Sequence, residues 1–274
     1  MLSITSIPNS VKAGETFIVE GKADNFEDGD ELLILVDQRF AVARPKINNE
    51  RWSANLVFNQ SGLRQIEIIA SDQERIETTL DVQPGDVQII PRNVWNAQAP
   101  RANLPNLNAK RITLHHTVYP TLSIGASTNE EEARMRTIQN SHFARSFSDI
   151  GYHFVIMPSG RIYEGRSDRK RGAHDTINDG FGISFDGSYQ LLNSSITDRQ
   201  FNSAVALCIQ LCRRIGISDP TTLVSTPTAL PGNPRKNLPR ILGHQDRFQT
   251  DCPGVPGGKT VKMEEIRQAV KDSL

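Results

Sequence analysis

Residues 111–117, RITLHHT, begin as a short apolar strand and end in two histidines, and residues 243–254, GHQDRFQTDCPG, carry a further histidine and a cysteine. Catalytic zinc sites take three protein ligands of the His, Cys or carboxylate type and leave the fourth position to water. His115, His244 and Cys252 would satisfy that requirement. Each signal is weak by itself, because paired histidines at a strand end are more often hydrogen-bonded structure and an H-x7-C spacing imposes no geometry.

The sequence around these stretches predicts a mixed α/β domain over residues 109–274. Thr128 and the acidic residues after it predict a capped helix start, with the helix running to residue 145. HFVIMP and RIYEGR, on either side of Ser159 and Gly160, predict a hairpin. The other predicted elements are a strand at 181–189, an amphipathic helix at 197–216 and a closing helix at 263–274. Strands interspersed with helices are typical of this fold class.

Residues 1–85 follow a different pattern, in which apolar and polar residues alternate with a period of two. This alternation predicts an all-β sandwich that resembles immunoglobulin-like modules in its pattern alone. The apolar positions are Phe17, Val19, Trp52, Ala54, Leu56, Phe58, Ile66, Ile68 and Ala70. We expect Trp52 to lie in the core rather than to contact a sugar. The predicted role of this part is a spacer or an attachment module, with a protein partner as one option.

Residues 86–108 connect the two patterns. They contain several prolines and little periodicity, which predicts a linker leading into the second domain.

Charge is unevenly distributed, although the formal net charge of the chain is zero. Residues 1–88 hold 15 acidic and 8 basic side chains, whereas the rest hold 16 acidic and 23 basic ones. A basic domain attracts polyanions such as nucleic acid, anionic lipid and acidic cell-wall polymers. The chain has no run of five basic residues, and its densest basic cluster, 166–171, has no interleaved aromatic residue. We therefore expect no nucleic-acid binding.

Cysteine usage and hydropathy exclude two further classes of protein, namely disulfide scaffolds and membrane-spanning proteins. The three cysteines are too few for a disulfide scaffold, and Cys208 and Cys212 are predicted to be buried small residues on one helix face. No apolar segment approaches membrane-spanning length, so no membrane insertion is expected. The first twenty residues lack the basic start and apolar run of an export signal.

Six motifs occur in the order and approximate spacing of one known family: RITLHHT, IQNSHF, SDIGYHFVI, GRIYEGR, GAH and GHQD-x4-DCPG. This part of the chain, roughly residues 88–270, resembles the type 2 N-acetylmuramoyl-L-alanine amidases. That family includes peptidoglycan recognition proteins and T7-like lysozymes. The resemblance implies a central mixed sheet flanked by helices, and cleavage of the amide bond between N-acetylmuramic acid and L-alanine in peptidoglycan.

The resemblance also implies roles for individual residues. His115, His244 and Cys252 take the positions of the zinc ligands. Tyr152 takes that of the catalytic tyrosine, which would donate a hydrogen bond to the developing oxyanion. Zinc would polarise the scissile carbonyl and lower the pKa of its water. Thr250 stands at a catalytic position where some relatives have lysine, so its electrostatic contribution should be smaller. The residues implied to contact substrate are Arg166, His174, His153 and Thr117, and Arg166 could pair with a stem-peptide carboxylate instead of forming a surface salt bridge.

The chain departs from the family where some relatives place a glutamate general base, because Ser184 stands there. Proton transfer would then rest on the water, Tyr152 and either His153 or His174, and the general base stays unassigned. His116 and His142 are interpreted as structural.

Two rival functions stay open: a module that binds peptidoglycan without cutting it, and a peptidase with Cys252 as nucleophile and His244 as base. The substrate implied by the resemblance lies in the cell wall, outside the cytoplasmic membrane. Without a visible export signal, we expect delivery by a signal missing from this sequence, by lysis as for a phage endolysin, or by a secretion or injection machine.

Overall fold

The computed structural model describes residues 1–38, 40–58, 62–71, 74–83 and 87–274. The chain divides into two compact units, Met1–Asp86 and Val87–Leu274. The side chains of Phe40 and Ser71 lie outside the described set. Among the helices of the described residues, none combines the length and the hydrophobicity of a membrane-spanning segment.

The first unit is rich in strands, as the period-two alternation predicts. Its strands are β1 (Leu2–Ser6), β2 (Ser10–Lys12), β3 (Thr16–Ala23), β4 (Leu33–Val36), β5 (Phe40–Ala43), β6 (Arg51–Val57), β7 (Gly62–Ser71) and β8 (Glu74–Gln83). They form a three-stranded sheet, ordered β1-β3-β6, and a five-stranded sheet, ordered β2-β8-β7-β4-β5. The immunoglobulin-like assignment stays a prediction, because strand content and alternation alone do not establish that topology.

One apolar cluster draws on buried residues of both sheets of the first unit. In β3 and β6 every second side chain is buried, so one face of each strand is apolar. Trp52 is only 3% exposed and lies opposite Gly21 in the register of these two strands. A Cβ at position 21 would approach the Trp52 indole to 2.3 Å, so glycine is what allows the ring to lie there. Trp52 is therefore a core residue, as expected.

The second unit is a mixed α/β domain. Its strands are β9 (Ile89–Ile90), β10 (Ile112–His116), β11 (Phe154–Ile156), β12 (Ile162–Glu164), β13 (Phe181–Phe185), β14 (Val224–Leu230), β15 (Asn233–Leu238) and β16 (Ile241–Gly243). Its helices are α1 (Thr128–Ala144), α2 (Asp198–Arg214) and α3 (Met263–Lys271), with 3-10 turns at His244–Asp246 and Pro256–Val261. Six strands form the main sheet, ordered β16-β10-β13-β11-β12-β9, and β14 pairs with β15 in a separate hairpin.

Helices cover both faces of the main sheet. Ile112 and Leu114 of β10 belong to a core cluster shared with α2 and α3, whereas Val155 of β11 packs in a cluster with residues of α1. Successive side chains in a strand point to opposite faces, so His115 lies on the face opposite Leu114. The parallel register pairs His115 with Ser184 and Ser184 with Val155, which places all three on the α1 face.

The helices begin close to the predicted positions, with one correction. The N-cap of α1 is Ser127, which exchanges hydrogen bonds with Glu130, and Thr128 is the first helical residue. Thr197 and Gln200 form the same reciprocal arrangement at α2. Such caps satisfy amide groups that a helix leaves without partners, each contributing about 1 kcal/mol. Cys208 and Cys212 are buried free cysteines, as predicted.

The structure differs from the predicted linker at residues 86–108. Residue 86 lies outside the described residues, but β9 pairs with β12 at the edge of the main sheet. Trp95 is fully buried, and its Nε1 donates to the carbonyl of Glu164 at 2.9 Å. Residues 87–108 are therefore part of the second unit. The sparse apolar residues of this segment follow neither a strand nor a helix period, which is why the sequence suggested a linker.

Candidate metal centre

Two parallel strands bring the predicted histidine ligands together. In β10 and β16, Leu114 lies opposite Gly243, and each is followed directly by a histidine. His115 and His244 therefore leave the sheet at the same edge, with ring centroids 4.8 Å apart. Cys252 reaches the same place from the loop after the 3-10 turn that His244 opens.

The ligand atoms of His115, His244 and Cys252 all lie within 4.8 Å of one another. Cys252 Sγ is 3.5 Å from His115 Nδ1. This distance matches the roughly 3.3 to 3.8 Å expected between neighbouring ligand atoms around a tetrahedral zinc. His115 and Cys252 are buried and His244 is half-buried, so the group is shielded but open on one side. These residues could hold a metal ion.

The protonation states suit a cation. Burial lowers the pKa of His115 well below its usual value, helped by the nearby His244 and His174. Burial also lowers the pKa of His244 to about 4, so both imidazoles are neutral near pH 7 and present lone pairs. Burial raises the pKa of the Cys252 thiol to about 12. A divalent ion would supply the positive charge that a buried thiolate lacks, so the donor set fits such an ion.

Tyr152, which takes the position of the catalytic tyrosine in the resemblance, lies beside the cluster. Its ring centroid is 5.4 Å from that of His115 and 5.3 Å from that of His142. Its hydroxyl points toward the carbonyl oxygen of His116 at 3.5 Å, at the outer limit of a hydrogen bond. Burial raises the pKa of Tyr152, so the phenol keeps its proton at neutral pH. The group can donate a hydrogen bond but cannot act as a base.

Thr250 supports the loop that carries the cysteine. Its Oγ1 accepts the amide of Cys252 at 3.2 Å, and the side chain is half-buried. Within residues 87–274, the Thr250 hydroxyl accepts this hydrogen bond and donates none, so its proton is available to a ligand.

Arg166, which the resemblance implies contacts substrate, is directed into the fold in this structure. The residue is 3% exposed, and its guanidinium donates to three backbone carbonyls. Nε donates to Ile150 at 2.8 Å, Nη1 to Arg171 at 2.7 Å and Nη2 to Asp149 at 3.2 Å. With its donors committed inside the fold, Arg166 holds two loops together instead of pairing with a carboxylate.

His153 and Thr117 are also committed to protein partners. His153 is fully buried, its Nδ1 accepts the amide of Gly182 at 2.8 Å, and its Nε2 lies 2.9 Å from the carbonyl of Lys170. The Thr117 hydroxyl donates to Asp186 and accepts the amide of Gly187, both at 3.0 Å. The His153 ring is fully engaged, whereas the half-buried Thr117 hydroxyl keeps one acceptor lone pair.

His174, which the resemblance implies contacts substrate, lies against His115 in this structure. Its side chain is fully buried. Nδ1 lies 3.0 Å from His115 Nε2, and Nε2 lies 3.0 Å from the carbonyl of Gly180. Both ring nitrogens of His174 and of His153 have protein partners in this structure, and the general base stays unassigned. His116 and His142 are buried and accept backbone amides, in keeping with their structural interpretation.

Two features of the site were not assigned from the sequence. Ser184 lies beside His115 in the adjacent strand, and its buried hydroxyl makes a marginal contact with that of Tyr152. Arg247, between His244 and Cys252, is 1% exposed and pairs with Asp175 at 2.7 Å. The sequence does not show whether a charged residue is solvated or buried. Only the position of Arg247 between two predicted ligands could have indicated that it is part of the site.

A surface cavity of about 660 Å³ adjoins the same loop. Its lining includes Gln245, Thr250 and the tip of the β14–β15 hairpin at Leu230. Phe248, also in the lining, stacks on the His244 ring with an interplanar angle of 15°. The cavity offers polar groups and one exposed aromatic ring to a ligand beside the candidate metal centre.

The fold and this site define a member of the type 2 amidase class, and comparison with known proteins shows the family. The profile of the Amidase_2 family, described as N-acetylmuramoyl-L-alanine amidase, matches residues 105–255. The chain belongs to this family.

Named relatives include both recognition proteins and an amidase. Peptidoglycan-recognition protein SD of Drosophila simulans is 36% identical over 118 residues, which is 41% of this chain and 61% of that protein. An N-acetylmuramoyl-L-alanine amidase of Sus scrofa is 31% identical over 229 residues, covering 81% of this chain and 32% of that protein. The chain thus spans about three fifths of the first relative and a third of the second.

One solved structure shares the fold and contains a ligand. Peptidoglycan recognition protein-LE, in complex with tracheal cytotoxin, a monomeric diaminopimelic acid-type peptidoglycan, matches with a TM-score of 0.51 at 26% identity. The match covers 66% of this chain and 92% of that one.

Proposed function

We propose that the second unit is a zinc-dependent amidase that hydrolyses the bond between N-acetylmuramic acid and L-alanine in bacterial peptidoglycan. The observation that carries this proposal is the convergence of His115, His244 and Cys252, whose ligand atoms lie within 4.8 Å of one another in a member of the amidase family. Imidazole nitrogen and thiolate sulfur are both zinc ligands, and three protein ligands leave the fourth position to water, as in catalytic zinc sites.

Tyr152 and Thr250, beside the cluster, have separate roles in the proposed reaction. Zinc, when bound, would polarise the scissile carbonyl and make its water ligand more acidic. Tyr152 would donate its hydroxyl proton in a hydrogen bond to the oxygen that gains charge as the amide carbon becomes tetrahedral. Thr250 holds the cysteine loop through the amide of Cys252 and keeps a hydroxyl proton for the substrate.

Peptidoglycan as the ligand is supported by charge and by a relative. The positive excess of residues 89–274 attracts acidic wall polymers at long range. The similar recognition protein-LE binds a peptidoglycan monomer. Action on the cell wall, outside the cytoplasmic membrane, follows from this substrate. The roles of the first unit as a spacer, an attachment module or the site of a protein partner stay predictions.

Two alternatives make different use of the same residues. A binding module would need no metal, and the complete ligand set therefore favours an enzyme. A thiol peptidase would need Cys252 as a thiolate, but burial raises the pKa of that thiol to about 12. The Cys252 sulfur also lies 3.5 Å from Nδ1 of His115, a residue that has no role in the peptidase scheme.

The test uses purified sacculi and mass spectrometry of the soluble products. We expect the full chain to release stem peptides that begin with L-alanine, to lose this activity in EDTA and to regain it with zinc. Cys252→Ala and His115→Ala should each abolish zinc binding and release. Cys208→Ala is the matched control, since it removes a buried cysteine outside the cluster. No release by zinc-loaded protein would support the binding module, and activity that resists EDTA but is lost on alkylation would support the thiol peptidase.

A further inference from the structure

His174 lies in a space that the chain leaves open for its ring. A Cβ at Gly182 would come within 2.4 Å of the His174 ring, and so would a Cβ at Gly172. The backbone amide of His174 donates to Asn178 Oδ1 at 2.8 Å, and Asp175 Oδ1 accepts the amide of Asn178 at 2.5 Å. The ring is thus held in one place by a tight loop and by two positions that tolerate no side chain.

The hydrogen bonds of this ring have a fixed direction. The carbonyl of Gly180, 3.0 Å from His174 Nε2, can only accept, so Nε2 carries the proton. A neutral imidazole has one N–H, which leaves a lone pair on His174 Nδ1. His115 Nε2, 3.0 Å away, must then donate to it. The one remaining lone pair of the His115 ring is on Nδ1, which faces Cys252 Sγ.

The reverse direction would need His174 Nδ1 to carry a proton. The nearest carboxylate oxygen, Asp175 Oδ2, is 3.6 Å from this nitrogen, beyond hydrogen-bonding distance. That oxygen already accepts from Arg247 at 2.7 Å and lies 3.4 Å from the Thr113 hydroxyl. The Asp175 carboxylate is paired with Arg247, so it does not stabilise an additional proton on Nδ1 of the His174 ring.

We infer that His174 is a positioning residue that fixes the tautomer and the ring orientation of His115, so that His115 Nδ1 presents its lone pair to the metal. The inference rests on the proposed metal site, but the tautomer itself is a property of the protein without metal. Histidine ligands commonly depend on such a partner at the other ring nitrogen. Here the partner is a second imidazole, whose own direction is set by a backbone carbonyl.

A matched pair of variants tests this role through zinc affinity, measured by competition with a chelator of known affinity. His174→Gln and His153→Gln each keep a donor that can reach a backbone carbonyl and lose the acceptor at Nδ1. Of the two acceptors that are lost, only Nδ1 of His174 faces a predicted metal ligand, His115. We expect His174→Gln to weaken zinc binding roughly 10- to 100-fold. His153→Gln should bind zinc as the unmodified protein does, and His174→Asn, whose amide oxygen can replace Nδ1, should recover part of the loss.

A further variant displaces the ring without removing it. Gly182→Ala should push His174 from its place and weaken zinc binding in the same direction. The thermal unfolding of each metal-free variant is recorded, so that a variant which fails to fold is recognised as such. Equal zinc affinities for His174→Gln and His153→Gln, with both folded, would overturn the inference.

Long-range ¹H–¹⁵N spectra of the metal-free, unmodified protein test the tautomers directly. We expect the protons of His115 and His174 to reside on Nε2 in both rings. A proton on Nδ1 of His115 would overturn the inference, whatever the affinities of the variants. Failure of the unmodified protein to bind zinc would instead refute the proposed function, and the spectra would still decide the tautomers.

Discussion

Replacement of Arg166 by leucine separates the structural role of this residue from the substrate-binding role that its motif implies. The change removes three hydrogen bonds from a buried guanidinium to backbone carbonyls, at 2.7, 2.8 and 3.2 Å. Hydrogen bonds to charged groups contribute about 1.5 to 3 kcal/mol each, and a buried carbonyl left without a partner costs about 1 to 3 kcal/mol. Burial of the leucine side chain offsets part of this loss.

We therefore expect Arg166→Leu to lower the free energy of unfolding of the second unit by about 3 to 5 kcal/mol, a large part of the 5 to 15 kcal/mol typical of a domain. For a unit of this size, that change lowers Tm by roughly 6 to 20 °C. Differential scanning calorimetry is the suitable assay, because two units need not unfold in a single transition.

Arg169→Leu is the control, since Arg169 is an exposed arginine in the same loop. It should leave the transition of the second unit in place. A loss of less than about 1 kcal/mol in Arg166→Leu, accompanied by a raised KM for peptidoglycan, would refute the structural reasoning and restore the substrate-binding interpretation.

Three further outcomes are expected. Tyr152→Phe should keep bound zinc, measured by metal analysis, and lower turnover roughly 100- to 1000-fold, because one oxyanion donor is lost; an unchanged rate would remove Tyr152 from the mechanism. Ser184→Ala should change the free energy of unfolding by less than about 1 kcal/mol, because its buried hydroxyl makes only a marginal contact with that of Tyr152; a larger loss would show a full hydrogen bond between the two side chains. Zinc binding near pH 7 should release one proton, because the pKa of Cys252 is raised to about 12 while that of His244 is lowered to about 4. Calorimetric titration in buffers of different ionisation enthalpy counts that proton, and a count of zero would contradict the thiol as a ligand.

Elements with a strong local pattern were predictable from the sequence. The strand that ends in His115 and His116, the hairpin around Ser159–Gly160 and the three helices appear close to their predicted positions. Each of these elements is specified by side-chain periodicity, capping residues or turn residues within a short window. The order of the six motifs indicated the amidase family, and the match of the family profile to residues 105–255 supports that assignment.

Elements defined by distant partners were not predictable in this way. Residues 86–108 looked like a linker because their pairing partner, β12, lies far along the chain. The β14–β15 hairpin was missed because five of the six residues of β15 are exposed and show no alternation. Residues predicted to touch substrate, above all Arg166 and His174, are buried, because the family motifs specify residue identity but not the direction of a side chain.

The sequence by itself determined the types of ligand available: the histidines at 115 and 244, a cysteine at 252 and a tyrosine at 152. Only the tertiary structure decided which atoms meet. The parallel register of β10 and β16 sets His115 beside His244, and the loop from Gly180 orients His174 toward His115 Nε2 rather than toward a substrate. The physical reason is that strand pairing and side-chain burial are fixed by contacts between residues far apart in the chain, which no local pattern of residues encodes.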